Sequence, residues 1–157
     1  MVNLGSHVRD NLTGFEGTAI ARITHLYGCV HIAILPKELK DGAPQKERVF
    51  DEQRVEVITD SGRQARTPKV ELGNTVKDKL TGLTGIVTTW YDEYTSITFV
   101  GVTPKELHEG KPIDALYFPE DRIELFDDTK PVVSPSSSAT SGSIAGEFSL
   151  STSRLSR

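Results

Sequence analysis

A glycine-containing motif that could bind a phosphate or form a tight turn is present twice in this sequence. The motif Val-x-Asp-x-Leu-Thr-Gly-x-x-Gly occurs at 8–17 and again at 76–85. Glycine-rich turns can cradle a phosphate with their backbone N–H groups. However, no Lys-Ser or Lys-Thr follows either copy, and no helix is predicted to open there, so the motif is not a P-loop. It predicts a tight structural turn instead.

A turn of this kind needs particular residues at fixed places. An aspartate side chain can accept backbone hydrogen bonds from residues that follow it. Glycine adopts positive φ angles without the steric cost that other residues meet. We therefore assign the structural turn to one aspartate and two glycines in each copy: Asp10, Gly14 and Gly17, and Asp78, Gly82 and Gly85.

The motif occurs twice because the chain contains a tandem duplication. Residues 4–58 align with residues 72–126 at a constant offset of 68, without a gap, and 18 of the 55 aligned positions are identical. Chance would give about 3 or 4 identities at ordinary residue frequencies. The predicted domains are a first β-barrel repeat at 1–58, a linker at 59–71, a second β-barrel repeat at 72–128 and a C-terminal tail at 129–157.

Histidine and cysteine could bind a metal or act in catalysis, and the first repeat contains four such residues: His7, His25, Cys29 and His31. No pair among them has a standard zinc-ligand spacing. The second repeat has Ile97 and Phe99 where the first has Cys29 and His31. We therefore expect no metal, no cofactor and no catalytic residue, and hence a protein that is not an enzyme.

Arginines at equivalent places could form ion pairs. Arg54 and Arg122 each lie between glutamates near the end of their repeat. Alternating charge on a final strand is typical of a solvated or edge face. Either arginine could instead pair with the motif aspartate of its own repeat, Asp10 or Asp78. Both interpretations remain open from the sequence alone.

Five short strands are predicted in each repeat, because segments rich in Val, Ile, Thr and Tyr alternate with turn residues. The predicted strands are 6–10, 18–25, 29–35, 47–50 and 55–58, then 75–78, 86–92, 96–103, 115–118 and 123–126. A one-turn helical kink at 51–54 suits an SH3-like barrel. One or two further helical turns are expected at 37–40 and 105–108. The predicted fold is all-β, with two tandem small SH3-like β-barrels plus an extended Ser-rich C-terminal tail.

Side chains alternate between the two faces of a strand, so comparing the repeats assigns faces. Val30, Ile32 and Ile34 align with Thr98, Val100 and Val102, and this face is the predicted core. The opposite face of the second repeat carries Ile97 and Phe99, and Trp90 could join it. A second apolar face on so small a unit predicts contact between the two repeats or with a partner.

Composition bounds the remaining possibilities. The chain has 157 residues, a net charge of −4 and only 36% hydrophobic residues. Such a balance argues against a nucleic-acid partner. There is neither an apolar segment of transmembrane length nor an N-terminal signal sequence, so we expect no membrane association or secretion.

Residues 134–157 include 10 serines in 24 positions and are expected to be extended or disordered without a partner. Apolar residues within this tail are candidate partner-binding anchors: Ile144, Phe148, Leu150 and Leu155. Backbone hydrogen bonds and β-augmentation could help to hold the tail on neighbouring subunits.

The Val-x-Asp-x-Leu-Thr-Gly-Phe-x-Gly opening, the Tyr27-Gly28-Cys29 turn and the Phe-Asp-Glu closing resemble a class of small tailed-bacteriophage proteins built on one such unit. The resemblance covers each repeat but not the tail, and it implies a virion component. More loosely, the turn after the first strand looks like those of KOW and Tudor-type SH3-like barrels, which bind nucleic acid, protein or ribosomes.

Resemblance, duplication and tail together predict a non-enzymatic structural protein of a phage particle. We expect a capsid decoration or cement protein, made in the host cytoplasm and located on the capsid surface of the virion. Its partners would be the major capsid protein, other virion proteins or further copies of itself. The alternatives are another virion component (neck, tail or baseplate), or a KOW/Tudor-like binding module for nucleic acid or host polymerase.

Overall fold

The computed structural model describes residues 1–127, which fold from β-strands, tight turns and two single-turn 3₁₀ helices. The all-β expectation is confirmed: 52% of this part is strand, and none of it is α-helix. Consequently, the described part holds no helix long and apolar enough to cross a membrane. The predicted tail at 129–157, including its four candidate anchors, lies outside the described residues.

The first repeat contains seven strands and a 3₁₀ helix at Glu52–Arg54. Its strands are β1 (His7–Asp10), β2 (Glu16–His25), β3 (His31–Leu35), β4 (Leu39–Lys40), β5 (Ala43–Pro44), β6 (Arg48–Asp51) and β7 (Val55–Thr59).

The second repeat has the same series, with a 3₁₀ helix at Glu120–Arg122. Its strands are β8 (Thr75–Asp78), β9 (Thr84–Glu93), β10 (Thr98–Pro104), β11 (Leu107–His108), β12 (Lys111–Pro112), β13 (Leu116–Pro119) and β14 (Ile123–Leu125). All ten strands expected from the sequence are present, with ends shifted by a residue or two.

Antiparallel pairing gives both repeats the same strand order. The order is β7-β1-β2-β3-β6 in the first repeat and β14-β8-β9-β10-β13 in the second. Within residues 1–127, no ladder joins β6 to β7 or β13 to β14, so pairing closes neither repeat into a barrel. A single 3₁₀ turn makes the connection between those end strands.

Each repeat has its own hydrophobic core, built mainly from inward-facing strand residues. The first core consists of Val2, Val8, Ala19, Ile32, Ile34 and Phe50. The second consists of Val70, Val76, Val87, Val100, Val102, Phe118 and Ile123. The strand face assigned to the core is therefore largely inside, because Ile32, Ile34, Val100 and Val102 are buried. Val30 is only half-buried.

The helical turns predicted at 37–40 and 105–108 are wrong. Both segments lead into two-stranded hairpins, β4–β5 and β11–β12. The hairpin tips explain the difference. Asp41 and Gly42 have φ angles of 54° and 77°, and Glu109 and Gly110 have 51° and 76°. Positive φ at both central residues is the requirement of a type I′ turn, for which Asp-Gly is a preferred sequence.

The linker is packed against both repeats rather than running free. Backbone bonds join Leu4 and Arg63 in both directions, with N···O distances of 2.7 and 2.9 Å. Ser6 Oγ donates to Ser61 C=O (2.9 Å). Further along the linker, Val70 is buried in the second core. This segment therefore adds core and backbone contacts to both repeats.

A direct strand pairing joins the repeats. The second halves of β2 and β9 run antiparallel, from Ala21 opposite Glu93 to His25 opposite Thr89, and merge the two sheets into one of ten strands. The sequence predicted contact between the repeats, or with a partner, through an apolar strand face. The repeats instead meet edge to edge, because β1 and β8 cover only the first halves of β2 and β9.

This junction has pseudo-two-fold symmetry. Ile23 lies opposite Tyr91, which is its own equivalent at the offset of 68. The flanking backbone bonds obey the same symmetry: Leu26 N–H donates to Thr88 C=O (2.8 Å), and Tyr94 N–H donates to Ile20 C=O (2.7 Å). The arrangement matches the self-complementary interface of a two-fold dimer, here within one chain.

Candidate functional site

The motif aspartates lie at the centre of the two glycine turns. Asp10 is fully buried, and its Oδ2 accepts hydrogen bonds from Thr13 N–H (2.9 Å) and Thr13 Oγ1 (2.5 Å). Arg54 donates from Nε to Oδ1 (2.9 Å) and from Nη2 to Oδ2 (2.8 Å). Mainly because of Arg54, the pKa of Asp10 falls to about 2, although burial opposes the shift.

The second repeat repeats this arrangement atom for atom. Asp78 accepts from Thr81 N–H (3.0 Å) and Oγ1 (2.5 Å), and Arg122 binds both carboxylate oxygens at 3.0 and 2.6 Å. Arg122 holds the pKa of Asp78 far below its usual range. The ion pairs considered from the alternating charges are thus present in both repeats. Each carboxylate is fully buried and is bound on both oxygens by groups of its own repeat, so its charge is used within the fold.

The two glycines of each motif have different structural roles. Gly14 and Gly82 have φ angles of 73° and 76°, in the left-handed region that favours glycine. Gly17 and Gly85 permit a close approach instead. A Cβ at Gly17 would lie 2.2 Å from Leu35 O, and one at Gly85 would lie 2.5 Å from Thr103 O. The motif spacing therefore sets both the turn and the packing of the next strand.

Asp92 is a buried carboxylate that sequence reasoning did not identify. Its Oδ2 accepts from Arg63 Nη1 and from Arg66 N–H, both at 2.7 Å, and its Oδ1 accepts from Arg66 Nε at 3.0 Å. Burial alone would raise the pKa of Asp92, but the bonds from Arg63 and Arg66 lower it. We call Asp92 with Arg63 and Arg66 the linker clamp. The equivalent of Asp92 in the first repeat is Thr24, so the first repeat has no counterpart of this clamp.

The histidine and cysteine side chains are dispersed. His7 Nδ1 lies 3.1 Å from Gly17 O, whereas the His25 and His31 rings contact each other edge to face with centroids 5.3 Å apart. Burial, followed by the charge of His31, lowers the pKa of His25. Cys29 is exposed, and a hydrogen bond with Asp51 raises the pKa of its thiol. Residues 1–127 contain no group of three potential ligands arranged to hold a metal.

An open apolar groove of about 600 Å³ crosses the junction between the repeats. It is lined by Ile23, His25, His31, Val49, Tyr91, Phe99 and Tyr117, which we call the junction groove. Six of these residues form three equivalent pairs at the offset of 68, namely Ile23 with Tyr91, His31 with Phe99, and Val49 with Tyr117. The pseudo-two-fold axis therefore runs through the groove.

A second repeated surface lies at the hairpins. The sequence Pro-Lys-Glu-Leu at 36–39 is identical to that at 104–107. Its leucines are exposed in both copies, Leu39 by 63% and Leu107 by 61%. Their identity therefore cannot result from a shared demand of the core. In the first repeat a cavity of about 620 Å³ lies between this hairpin and the glycine turn, where Lys37 and Gly14 both line it.

The partner-binding residues predicted in the described part occupy three different environments. Phe99 lines the junction groove. Ile97, two residues before Phe99, is 50% exposed. Trp90 packs half-buried against the second core, and its indole N–H donates to Val70 C=O at 3.1 Å. Of the three, only Phe99 belongs to the groove.

Comparison of the chain with protein-family models, with curated proteins and with solved structures finds no match in any of the three.

Proposed function

We propose that this chain is a non-enzymatic structural protein that decorates the capsid of a tailed phage, and that each repeat is a small SH3-like barrel. The strand order and the 3₁₀ turn before the last strand of each repeat support the barrel assignment. The observation that carries the decoration role is the exposed Pro-Lys-Glu-Leu hairpin, which the chain displays twice in one folded unit.

A capsid presents many copies of one subunit in a symmetric lattice. A chain with two equal contact sites can bind two of those subunits at once. The second contact then forms within an existing complex, so two weak contacts give strong attachment. Leu39 and Leu107 suit this task, because burial of a leucine side chain contributes about 1.5–3 kcal/mol. The predicted tail would add further contacts with neighbouring subunits.

The polar groups of the described part support a structural role. Asp10, Asp78 and Asp92 are all buried and bound by arginines. None of them lines the junction groove. Their arrangement stabilises turns and the linker, as expected of a protein that works by binding.

Mass spectrometry of purified particles of the phage that encodes this chain tests the proposal. We expect the chain in a copy number that matches the positions of the capsid lattice. Leu39→Ser or Leu107→Ser alone should reduce occupancy, and the double variant should abolish it. Tyr27→Ser, at a side chain that is 87% exposed and has Thr95 as its equivalent, is the matched control.

Absence of the chain from particles would contradict a virion role. A low, fixed copy number would instead favour the neck, tail or baseplate. Salt-dependent binding to DNA or RNA would favour a nucleic-acid-binding module.

A further inference from the structure

The junction groove is an apolar surface that residues 1–127 leave open to solvent. Val49 and Tyr117 line it and are 53% and 51% exposed. Val49 lies in β6 and Tyr117 in β13, and within residues 1–127 each of these strands pairs with one neighbour only. Contiguous exposed apolar surface on a folded protein commonly marks a binding site. A groove of about 600 Å³ is within the usual size range of such sites.

The two halves of the groove are chemically different. The first repeat contributes Ile23, His25, His31 and Val49, whereas the second contributes Tyr91, Phe99 and Tyr117. This divergence contrasts with the hairpins, where the exposed Lys-Glu-Leu segment is identical in both copies. A partner with two-fold symmetry would meet equal halves. A single extended segment crosses the axis in one direction and meets each half once, so the divergence favours such an occupant.

The aromatic half forms a preorganised wall. The Tyr91 ring contacts the rings of Phe99 and Tyr117 edge to face, with centroid distances of 6.4 and 6.3 Å. Aromatic rings offer a large contact area and prefer edge-to-face or offset packing with another ring. This half therefore suits an aromatic or large aliphatic side chain.

Carboxylates lie at the rim of the groove, where Glu93 is on the same face of β9 as Tyr91. Burial raises the pKa of Tyr91, and the nearby charges of Glu93 and Glu47 raise it further. In the other half, Asp51 lies directly opposite His31 in the β3–β6 pairing. The linker arginines Arg63 and Arg66 are bound by the Asp92 carboxylate. Charge complementarity thus favours a basic occupant.

We propose that the junction groove binds an extended segment of a partner protein in which an aromatic or large aliphatic side chain lies next to an arginine or lysine. The apolar side chain packs against Tyr91, Phe99 and Tyr117, and the basic side chain faces Glu93 or Glu47. This site is separate from the hairpins and does not depend on the capsid role.

The test uses the full chain and a displayed library of random peptides. The most enriched peptide is then synthesised with a fluorescent label and titrated by anisotropy. We expect enriched sequences to combine an aromatic or large aliphatic residue with a neighbouring Arg or Lys. Tyr117→Ser should weaken binding about tenfold, and Glu93→Gln about threefold with a smaller salt dependence. Tyr27→Ser should bind as the parent does.

Since Tyr117 is half exposed, its serine variant should keep the parent melting temperature. Val49→Ser in the opposite half provides a second variant if it does not. Failure to enrich a sequence, enrichment of acidic peptides, or binding unchanged by both variants would overturn the proposal. A concentration-dependent dimer that Tyr117→Ser disperses would also overturn it, in favour of self-association. None of these results depends on whether the chain is found in phage particles.

Discussion

Ile23 and Tyr91 lie directly opposite each other across the β2–β9 pairing, and each holds the other's position in its own repeat. The pairing is made by backbone groups, which every residue except proline supplies. Hence the two side chains at the axis can differ while the hydrogen bonds remain symmetric. The β2–β9 pairing therefore sets the relative position of the two repeats but does not determine which side chains line the junction groove.

Ile34→Ala should destabilise both repeats, although Ile34 is buried only in the first core. Removing a buried isoleucine side chain to Cβ costs about 2–5 kcal/mol. Because one sheet runs through both repeats, we expect a single unfolding transition. Urea unfolding followed by Trp90 fluorescence checks this, since Trp90 is the only tryptophan and lies in the second repeat. If Ile34→Ala did not change the urea midpoint of the Trp90 fluorescence transition, the repeats would unfold independently.

Asp92→Asn should reduce the free energy of unfolding by about 2–3 kcal/mol. The amide has nearly the shape of the carboxylate but lacks the charge that faces Arg63 and Arg66. Thr24→Asn, at the equivalent position of the first repeat, is the matched control and should change stability little. Chemical denaturation at neutral pH measures both. Equal effects of the two substitutions would exclude a special role for the linker clamp.

Stability should fall most as the pH drops from about 4 to 2, after a smaller loss below neutral pH from His25, whose pKa is also lowered. The pKa of Asp10 is about 2 in the folded protein against an ordinary value of 3.8, and that of Asp78 is also lowered. A carboxyl group with a lowered folded pKa stabilises the fold above its unfolded pKa. This stabilisation disappears as the pH falls through the folded value.

Thermal unfolding at a series of pH values measures the acid dependence. The double variant Asp10→Asn, Asp78→Asn should be less stable at neutral pH and should lose much of the acid sensitivity. Asp121→Asn, at an exposed position, is the control and should retain the parent profile. A parent protein whose stability falls mainly between pH 7 and 5 would show that other groups dominate.

Gly17→Ala should reduce the free energy of unfolding more than Gly14→Ala does. At Gly14 the cost is the left-handed backbone, about 1–2 kcal/mol for a non-glycine residue, because nothing lies within 4 Å of the new Cβ. At Gly17 the new Cβ would overlap Leu35 O, so the paired strands must separate. We expect a loss above about 3 kcal/mol there, measured by denaturant unfolding. Equal losses would mean that β3 can shift at little cost.

Local features of the fold could be predicted because they are encoded in short stretches of sequence. The strands follow from β-branched and apolar residues, and the turns follow from the repeated spacing of Asp10, Gly14 and Gly17. Duplication helped, since Arg54 and Arg122 occur at equivalent places and each pairs with the aspartate of its own repeat. The hairpins could also have been predicted, because Asp41-Gly42 is a type I′ turn sequence.

Relationships between the repeats could not be predicted in this way. The edge of β2 that pairs with β9 has no distinctive composition, since backbone pairing is largely independent of side chains. The burial and ion pairing of Asp92 could not be predicted, because its partners Arg63 and Arg66 lie in a polar segment that has the composition of a simple connector. The junction groove needed the pairing first, because its two halves come from strands 68 residues apart in sequence.

The covalent connection across the pseudo-two-fold axis has a consequence for how this surface can evolve. In a dimer of identical single-repeat chains, every substitution at the interface is made twice, so the two halves must remain the same. Fusion of the copies removes that restriction. An aromatic residue could arise at position 117 while its equivalent remained Val49. Likewise, an aspartate bound by two linker arginines could arise at position 92 while its equivalent remained Thr24. The duplicated chain can therefore acquire an asymmetric function while its backbone keeps the symmetry of a dimer.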